Sequence, residues 1–332
     1  MSLTKQNYEQ HFHEMAEIEA PMQEQNPKYE LIGKLIDRSL PMSYSKLKYL
    51  DSPVNFINNL LKPKEKSESM LFGSVVDCLL LEEHKFDKKF TIINATPTTD
   101  NQKEFVKNFL ENLSQIDTFE ERVQDAYSKS YKTGTPEKNV AHLYEYLQAI
   151  QSGKEAVPQE VYDQAKAIAE NLKNTPEVAD ELMVCDEFQK FIEFEWMGWN
   201  FRGILDTFSP NLFHDLKFAS DCNPEKFTRD VEKFGYDIQF GLYRIGLEIL
   251  GLASQPKFKY IVFDKSFNYT IIEVDDSYLL YGERKVEHYL KRLNKMVDER
   301  AFGRSYDYFK KHNVMYKPKW LAGFDETIFE KH

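Results

Sequence analysis

Apolar positions along the chain change their spacing in stages. Residues 1–40 are largely polar and read as an arm with some helical character. The run "PMSYSKLKYLDSPVNFINNLL" (41–61) places apolar residues at helical spacing behind a cap at Ser43 or Ser45. "KPKEKSES" (62–69) reads as a charged loop, and "MLFGSVVDCLLLEEHKF" (70–86) as the most apolar helix of the chain, hence buried. Residues 96–187 are polar and largely helical, with breaks at "NATPTTDN" and "KTGTPEKN". This predicts a helical insertion within a domain that spans 41–332.

Beyond 187 the period shortens to that of strands. "FQKFIEFEWM", "NFRGILDTF" and "NLFHDLKF" are short, aromatic-rich and separated by turn residues, which predicts an antiparallel meander. "NPEKFTRDVEKFG" (223–235) predicts a helix with Asn223 as cap, Pro224 at its first position and Gly235 as terminator. A second helix covers 236–251. Strands in "KFKYIVFDK" and "YTIIEVDD" follow, then a long amphipathic helix over 277–300. Strands interleaved with helices in this order predict a mixed α/β domain.

Composition narrows the class. A chain of 332 residues is long enough for a sizeable core. No run of about 18 apolar residues is present, so no transmembrane helix is expected. The polar N-terminus lacks the apolar segment of a secretory signal. Cys78, Cys185 and Cys222 are far apart and form neither a disulfide framework nor a paired-cysteine metal site. A reduced, cytoplasmic setting is expected. With 43 Lys and Arg against 54 Asp and Glu, the net charge is −11, which speaks against a protein coated in nucleic acid. It leaves room for a local basic groove and for carboxylates around a divalent metal.

The candidate chemistry lies in the meander. Asp215 and Lys217 are two apart in a strand and so share a face, with Leu216 turned away. Asp206 precedes Asp215 by nine residues, and neighbouring strands bring the two to one edge. Two carboxylates beside a lysine suit Mg²⁺ or Mn²⁺, which take oxygen ligands and hold phosphates. The Leu216 carbonyl adds a further oxygen. Lys217 is placed to orient water or to stabilise charge on a phosphate under attack. Lys226, Arg229 and Lys233 recur along one helix and form a candidate DNA-backbone stripe, with a solvated face as the alternative. "KHNVMYKPKW" (311–320) mixes basic and aromatic residues suited to stacking on a strand. His214 faces away from Asp215 and reads as structural.

Asp206, Asp215 and Lys217 fit the PD-(D/E)xK nuclease signature, and the chain resembles more specifically the exonuclease VIII nucleases of prophage-type recombination systems. The resemblance is carried by "SYSKLKYLDSP" (43–53), "FGSVVDCLLLEEHKF" (72–86), Arg202 four residues before Asp206, the D-x-K itself, and Gln239 with Tyr243 on the following helix. It runs from Ser43 to about residue 300 and is thinnest over 96–187. It implies a restriction-endonuclease-like α/β core, a central mixed sheet flanked by helices. It implies that Asp77, Asp206, Asp215 and the Leu216 carbonyl hold Mg²⁺ or Mn²⁺. It also implies that Lys217 acts on water, that Gln239 orients Lys217, and that Arg202 and Tyr243 serve DNA. Asp77 stands where the family has a metal-binding histidine. Glu82 matches a family glutamate, with a surface or structural role as the alternative.

The activity implied is a metal-dependent exodeoxyribonuclease that digests linear duplex DNA from the 5′ end. The setting implied is a bacterial host cell, with a phage or prophage origin. The expected partners are duplex DNA ends, a single-strand annealing protein and further copies of the chain in a ring. A ring reconciles the acidic total with a basic channel. The rivals are a structure-specific or single-strand nuclease on the same fold, a decayed DNA-end-binding protein, and, more remotely, a structural virion protein. No cysteine cluster marks the iron–sulfur branch of such nucleases.

Overall fold

The computed structural model describes residues 26–62, 66–111 and 118–310. Helices α1 (Pro27–Ile36) and α2 (Pro53–Leu61) start where the chain supplies both a cap and a proline. Asn26 Oδ1 accepts from Lys28 N–H at 3.0 Å, and Ser52 Oγ from Asn55 N–H at 3.2 Å. Each satisfies a donor left open at a helix start. The helix predicted over 41–61 is therefore split. A single turn, Tyr44–Leu47, precedes α2, because Pro53 cannot continue a helix from upstream.

Helix α3 (Glu68–Leu81) buries Phe72, Val75, Val76, Cys78, Leu79 and Leu80. Next come β1 (Phe90–Ile93), α4 (Asp100–Glu111), α5 (Phe119–Ser130), α6 (Tyr144–Gln151), β2 (Glu155–Pro158), α7 (Gln159–Lys173) and α8 (Pro176–Met183). β1 and β2 pair in parallel, Phe90 opposite Glu155 and Ile93 opposite Pro158, which periodicity in such short runs does not reveal. The predicted helical insertion resolves into two parts. Helices α4–α6 close around a core of their own, with Phe105, Phe109, Val123, Tyr127, Leu143 and Leu147. Helices α7 and α8 instead give Ala165, Ile168, Leu172 and Val178 to the core beneath α3.

Strands β3 (Glu187–Trp196), β4 (Trp199–Ser209) and β5 (Leu212–Phe218) lead to helices α9 (Pro224–Phe234) and α10 (Tyr236–Ile249). Strands β6 (Lys257–Phe263) and β7 (Tyr269–Glu273) and helix α11 (Asp276–Asp298) follow. The strands form one sheet in the order β3-β4-β5-β6-β7. β4 and β5 are antiparallel, β5 and β6 parallel, β6 and β7 antiparallel. The parallel pair needs a crossover, which α9 and α10 supply. Asn223 caps α9 through Oδ1, Pro224 opens it, and Gly235 ends it at φ 73. That left-handed angle suits glycine and lets α10 start at once.

The described residues group into two compact units. One holds 26–62, 195–202 and 284–310, the other 66–111, 118–194 and 203–283. In the first, the fully buried Trp199 donates from Nε1 to Asn294 Oδ1 at 2.7 Å, and Met42 bridges to Phe201. It also contains α1, so part of the expected polar arm is helix with Leu35 buried; residues 1–25 lie outside the described residues. In the second unit, Leu216, Ile261 and Phe263 on one sheet face pack with α3 and α7. On the other, Phe258 and Tyr260 meet Phe240 of α10, and Tyr260 meets Phe227 of α9. This is a restriction-endonuclease-like core, a mixed sheet flanked by helices. Among the described residues no helix is long and apolar enough to cross a membrane.

Gly241 of α10 sits against the backbone of Gly282 at the start of α11, so closely that a Cβ there collides with backbone atoms. Backbone cannot step aside as a flexible side chain does. Gly241→Ala is expected to cost about 1–3 kcal/mol, seen as a lower midpoint in urea unfolding with an unchanged slope.

Candidate functional site

Strand β5 divides its side chains between two environments. Leu216 and Phe218 turn toward α3, whereas Asp215 and Lys217 turn toward α9 and α10. Asp215 is 3% exposed and pairs with the Lys217 ammonium. The ammonium also lies 4.7 Å from the centre of the Tyr236 ring, a cation–π contact. The paired register of β4 and β5 ends at Thr207 opposite His214. One step further, Asp206 lies level with Asp215. There Asp206 Oδ2 accepts the Leu216 N–H at 2.7 Å, so a side chain takes over from the strand ladder. The N–H and C=O of one strand residue point to the same side. The Leu216 carbonyl therefore faces the same notch.

Asp77 reaches this cluster from α3. As a residue it is only half-buried, yet its Oδ1 is out of contact with water and has no hydrogen-bond partner. Burial holds its carboxyl well above the usual range, the charges of Asp206 and Asp215 add to this, and Lys217 opposes it. Asp206 is pushed up to about 7, by burial first and then by Asp215. Asp215 is raised by burial, with Lys217 and Gln239 acting against the shift. Three carboxyls thus crowd one ammonium and resist ionising together.

A raised carboxyl makes the folded state bind more protons than the unfolded one. Its stabilising effect is complete below the unfolded value near 3.8 and is lost as pH rises through about 7. In EDTA, the protein is expected to melt at lower temperature as pH rises from about 5 to about 8, and Asp206→Asn to flatten that slope. Melting curves of both proteins across this range test it. An equal slope in the variant sinks the assignment.

Gln239 donates from Nε2 to Asp215 Oδ1 at 2.7 Å. Asp215 is the carboxylate that the Lys217 ammonium pairs with, so the expected orienting role of Gln239 runs through Asp215. The Oε1 of Gln239 is buried without a partner. Gln189 was not singled out in the sequence, yet its Nε2 donates to Asp206 Oδ1 at 3.1 Å. The backbone of Gln189 is left-handed, φ 50, inside strand β3. Such an angle is uncommon for a residue with a Cβ and often accompanies a functional position. A strand pattern carries no signal of it.

Tyr243, expected to contact DNA, is 6% exposed, with its ring packed over Gly203. The cause is α10 itself, which is buried on nearly every side. His214 is fully buried on the opposite face. Its Nδ1 lies 2.7 Å from Thr207 Oγ1 and its Nε2 2.9 Å from Glu181 Oε2. Burial lowers its pKa, with the Glu181 carboxylate acting against the shift. Glu82 is buried and paired with Lys85 and, at 2.7 Å, with Lys89. Burial alone would raise it, but the hydrogen bonds from these lysines hold it lower. Lys226, Arg229 and Lys233 are exposed along α9, with Lys226 paired to Asp221 and Lys233 lying 4.9 Å from the Phe234 ring centre. Arg202 is exposed in the other unit. Residues 311–320 lie outside the described residues.

Among the described residues, no three or more His, Cys, Asp or Glu side chains close into a metal-holding group. Both Asp206 oxygens accept from Leu216 and Gln189, and both Asp215 oxygens are engaged by Gln239 and Lys217. The donor chemistry nevertheless fits a hard divalent cation: all oxygen, an excess of negative charge, and a buried oxygen on Asp77 that lacks a partner.

Residues 43–305, most of the chain, match the family described as "PDDEXK-like domain of unknown function (DUF3799)". The chain belongs to this PDDEXK-like family. The PDDEXK-like match includes Asp77, Asp206, Asp215, Lys217 and Gln239. No curated protein matches the chain. Among solved structures it is similar to a protein of Eubacterium rectale, provisionally named an exonuclease. The identity is 18%, the coverage 97% of this chain and 99% of that one, and the TM-score 0.47. It is also similar to LHK-Exo in complex with dAMP, with 12% identity, 60% and 95% coverage and a TM-score of 0.24.

Proposed function

We propose that this PDDEXK-like domain is a nuclease, and specifically a metal-dependent exodeoxyribonuclease of the exonuclease VIII type that digests linear duplex DNA from the 5′ end. The observation that carries the reading is the gathering of Asp77, Asp206 and Asp215 around Lys217, with one buried carboxylate oxygen unpartnered. Asp77, Asp206, Asp215 and the Leu216 carbonyl are the residues that would hold Mg²⁺ or Mn²⁺. Such an ion, when bound, neutralises charge on a phosphate and makes water more acidic.

The chain's own groups supply the rest. Lys217 presents an ammonium where negative charge grows on the phosphate. Gln239 holds Asp215, and Gln189 holds Asp206, in one orientation each. Lys226, Arg229 and Lys233 offer positive charge to the DNA backbone, a contribution weakened by salt. Arg202 is proposed separately as an exposed DNA contact; Tyr243, buried against Gly203, supports α10 from within. A ring of several copies, a single-strand annealing partner and the cytoplasm of a bacterium carrying phage or prophage genes complete the reading.

End-labelled linear duplex and covalently closed circles, each with Mg²⁺, Mn²⁺ or EDTA, test it. Digestion of the linear DNA alone, from its 5′ ends and only with metal, is the expected result. Nicking of closed circles would replace the exonuclease with an endonuclease. No metal-dependent cleavage of any DNA would overturn the nuclease reading.

A further inference from the structure

Where α3 and α7 meet the turn after β6 lies a cavity of about 320 Å³ lined by Phe72, Asp163, Gln164, Ile168, Lys265 and Phe267. Its size is at the small end of ligand pockets, ~300–1,000 Å³, and suits one planar group rather than a base pair. Phe267, on the turn between β6 and β7, is 52% exposed, and its backbone is left-handed at φ 64. A bulky residue pays conformational energy for that angle. The turn is nonetheless firmly held. The buried Asp264 accepts from Ser266 N–H at 2.8 Å and from Asn268 N–H at 3.2 Å, and its own N–H donates to the Asn268 carbonyl at 3.1 Å. A hydrogen-bonded turn thus presents a half-exposed aromatic ring at the mouth of the cavity.

The lining fixes the chemistry of an occupant. The Lys265 ammonium sits 5.0 Å from the centre of the Phe72 ring, so cation and aromatic surfaces share one wall. Asp163 and the Gln164 amide, both exposed on α7, offer acceptors and donors on the other. A free phosphate would meet the Asp163 carboxylate. A nucleobase, neutral and edged with donors and acceptors, suits both walls and stacks on a ring. Position agrees. Phe72 packs on Phe218 at 4.7 Å between ring centres, and Phe218 directly follows Lys217. Phe263, the last residue of β6, pairs with Phe218, so the Phe267 turn emerges at the Lys217 end of β5.

We infer that this pocket receives an unpaired nucleobase at the end of the DNA strand being processed, stacked on Phe267 with Lys265 beside it. The inference rests on the nuclease reading and adds a base-binding subsite to it. The test uses the full chain in EDTA with a duplex that carries 2-aminopurine at one unpaired terminal nucleotide. Stacking on Phe267 quenches the probe. Phe267→Ala should lose the quench and weaken overhang binding between about fivefold and a hundredfold. Phe267→Tyr should keep both, and Lys265→Ala should weaken binding without abolishing the quench. Binding of a blunt duplex should change little in all three. Overhang binding by Phe267→Ala as tight as wild type, or an equal loss on blunt duplex, overturns the subsite. If the wild-type chain still digests linear DNA in that case, only the subsite falls. A wild-type chain that neither binds the probe nor cuts DNA removes both readings.

Discussion

Lys217→Ala lowers metal-dependent cleavage of linear duplex by about a hundredfold to a thousandfold, the range for loss of one preorganised charge stabiliser. The protein is expected to fold, because the pairing of β5 with β4 and β6 does not involve the Lys217 side chain. Without the ammonium, Asp215 keeps the Gln239 hydrogen bond and takes up a proton more readily, since Lys217 is the main group opposing its upward shift. Asp215→Asn is expected to lose a comparable factor for a different reason: it removes an anionic oxygen and leaves the amide facing Gln239 and the ammonium. Single-turnover cleavage, with circular dichroism as the control for folding, checks both. Near-normal rates in either variant would remove the cluster from the reaction.

Asp77→Ala should abolish most of the stabilisation that Mn²⁺ gives the folded chain. A ligand that binds only the native state raises stability with its concentration. Relieving a buried, unpartnered carboxylate oxygen adds to that gain, because such an atom is costly when charged. The substitution has a second, opposite effect. It removes a carboxyl that burial and two like charges force upward, so the metal-free variant should melt no lower than wild type in EDTA. The two effects together separate a metal ligand from a structural aspartate: a smaller manganese shift without a lower starting point. Asp77→His should restore part of the shift, since the resemblance to exonuclease VIII nucleases implies a metal-binding imidazole at that position. Thermal melts with and without Mn²⁺ provide the reading. A full wild-type shift in Asp77→Ala would make Asp77 structural.

Much of the core was legible because its signals are local. Asp215 and Lys217 share a face through strand period alone, and Asn223, Pro224 and Gly235 mark both ends of α9. The buried character of α3 follows from its apolar run, which is also why Asp77 stood out. The parts that were not legible depend on long-range geometry. Gln189 meets Asp206 only because the backbone of β3 turns left-handed at that residue. Gln239 is legible as a residue of the helix after D-x-K, but its hydrogen bond to Asp215 is decided by side-chain packing. The DNA role that the resemblance implies for Tyr243 gives no hint of its burial, which follows from α10 being enclosed on nearly every side. The pairing of β1 with β2 joins runs too short to show a period.

The separate core of α4–α6 has a consequence for how the chain breathes. Its apolar side chains cluster with one another, while α3, α7 and the sheet share a different interior. Regions with independent interiors open independently, and amide hydrogens report this as distinct protection classes. The amides of Phe105, Phe109, Val123 and Leu147 are set to exchange as one group, ahead of those of Leu216, Ile261 and Phe263. Proteases and length variation should then reach the helical trio without disturbing the strands that carry Asp206 and Asp215.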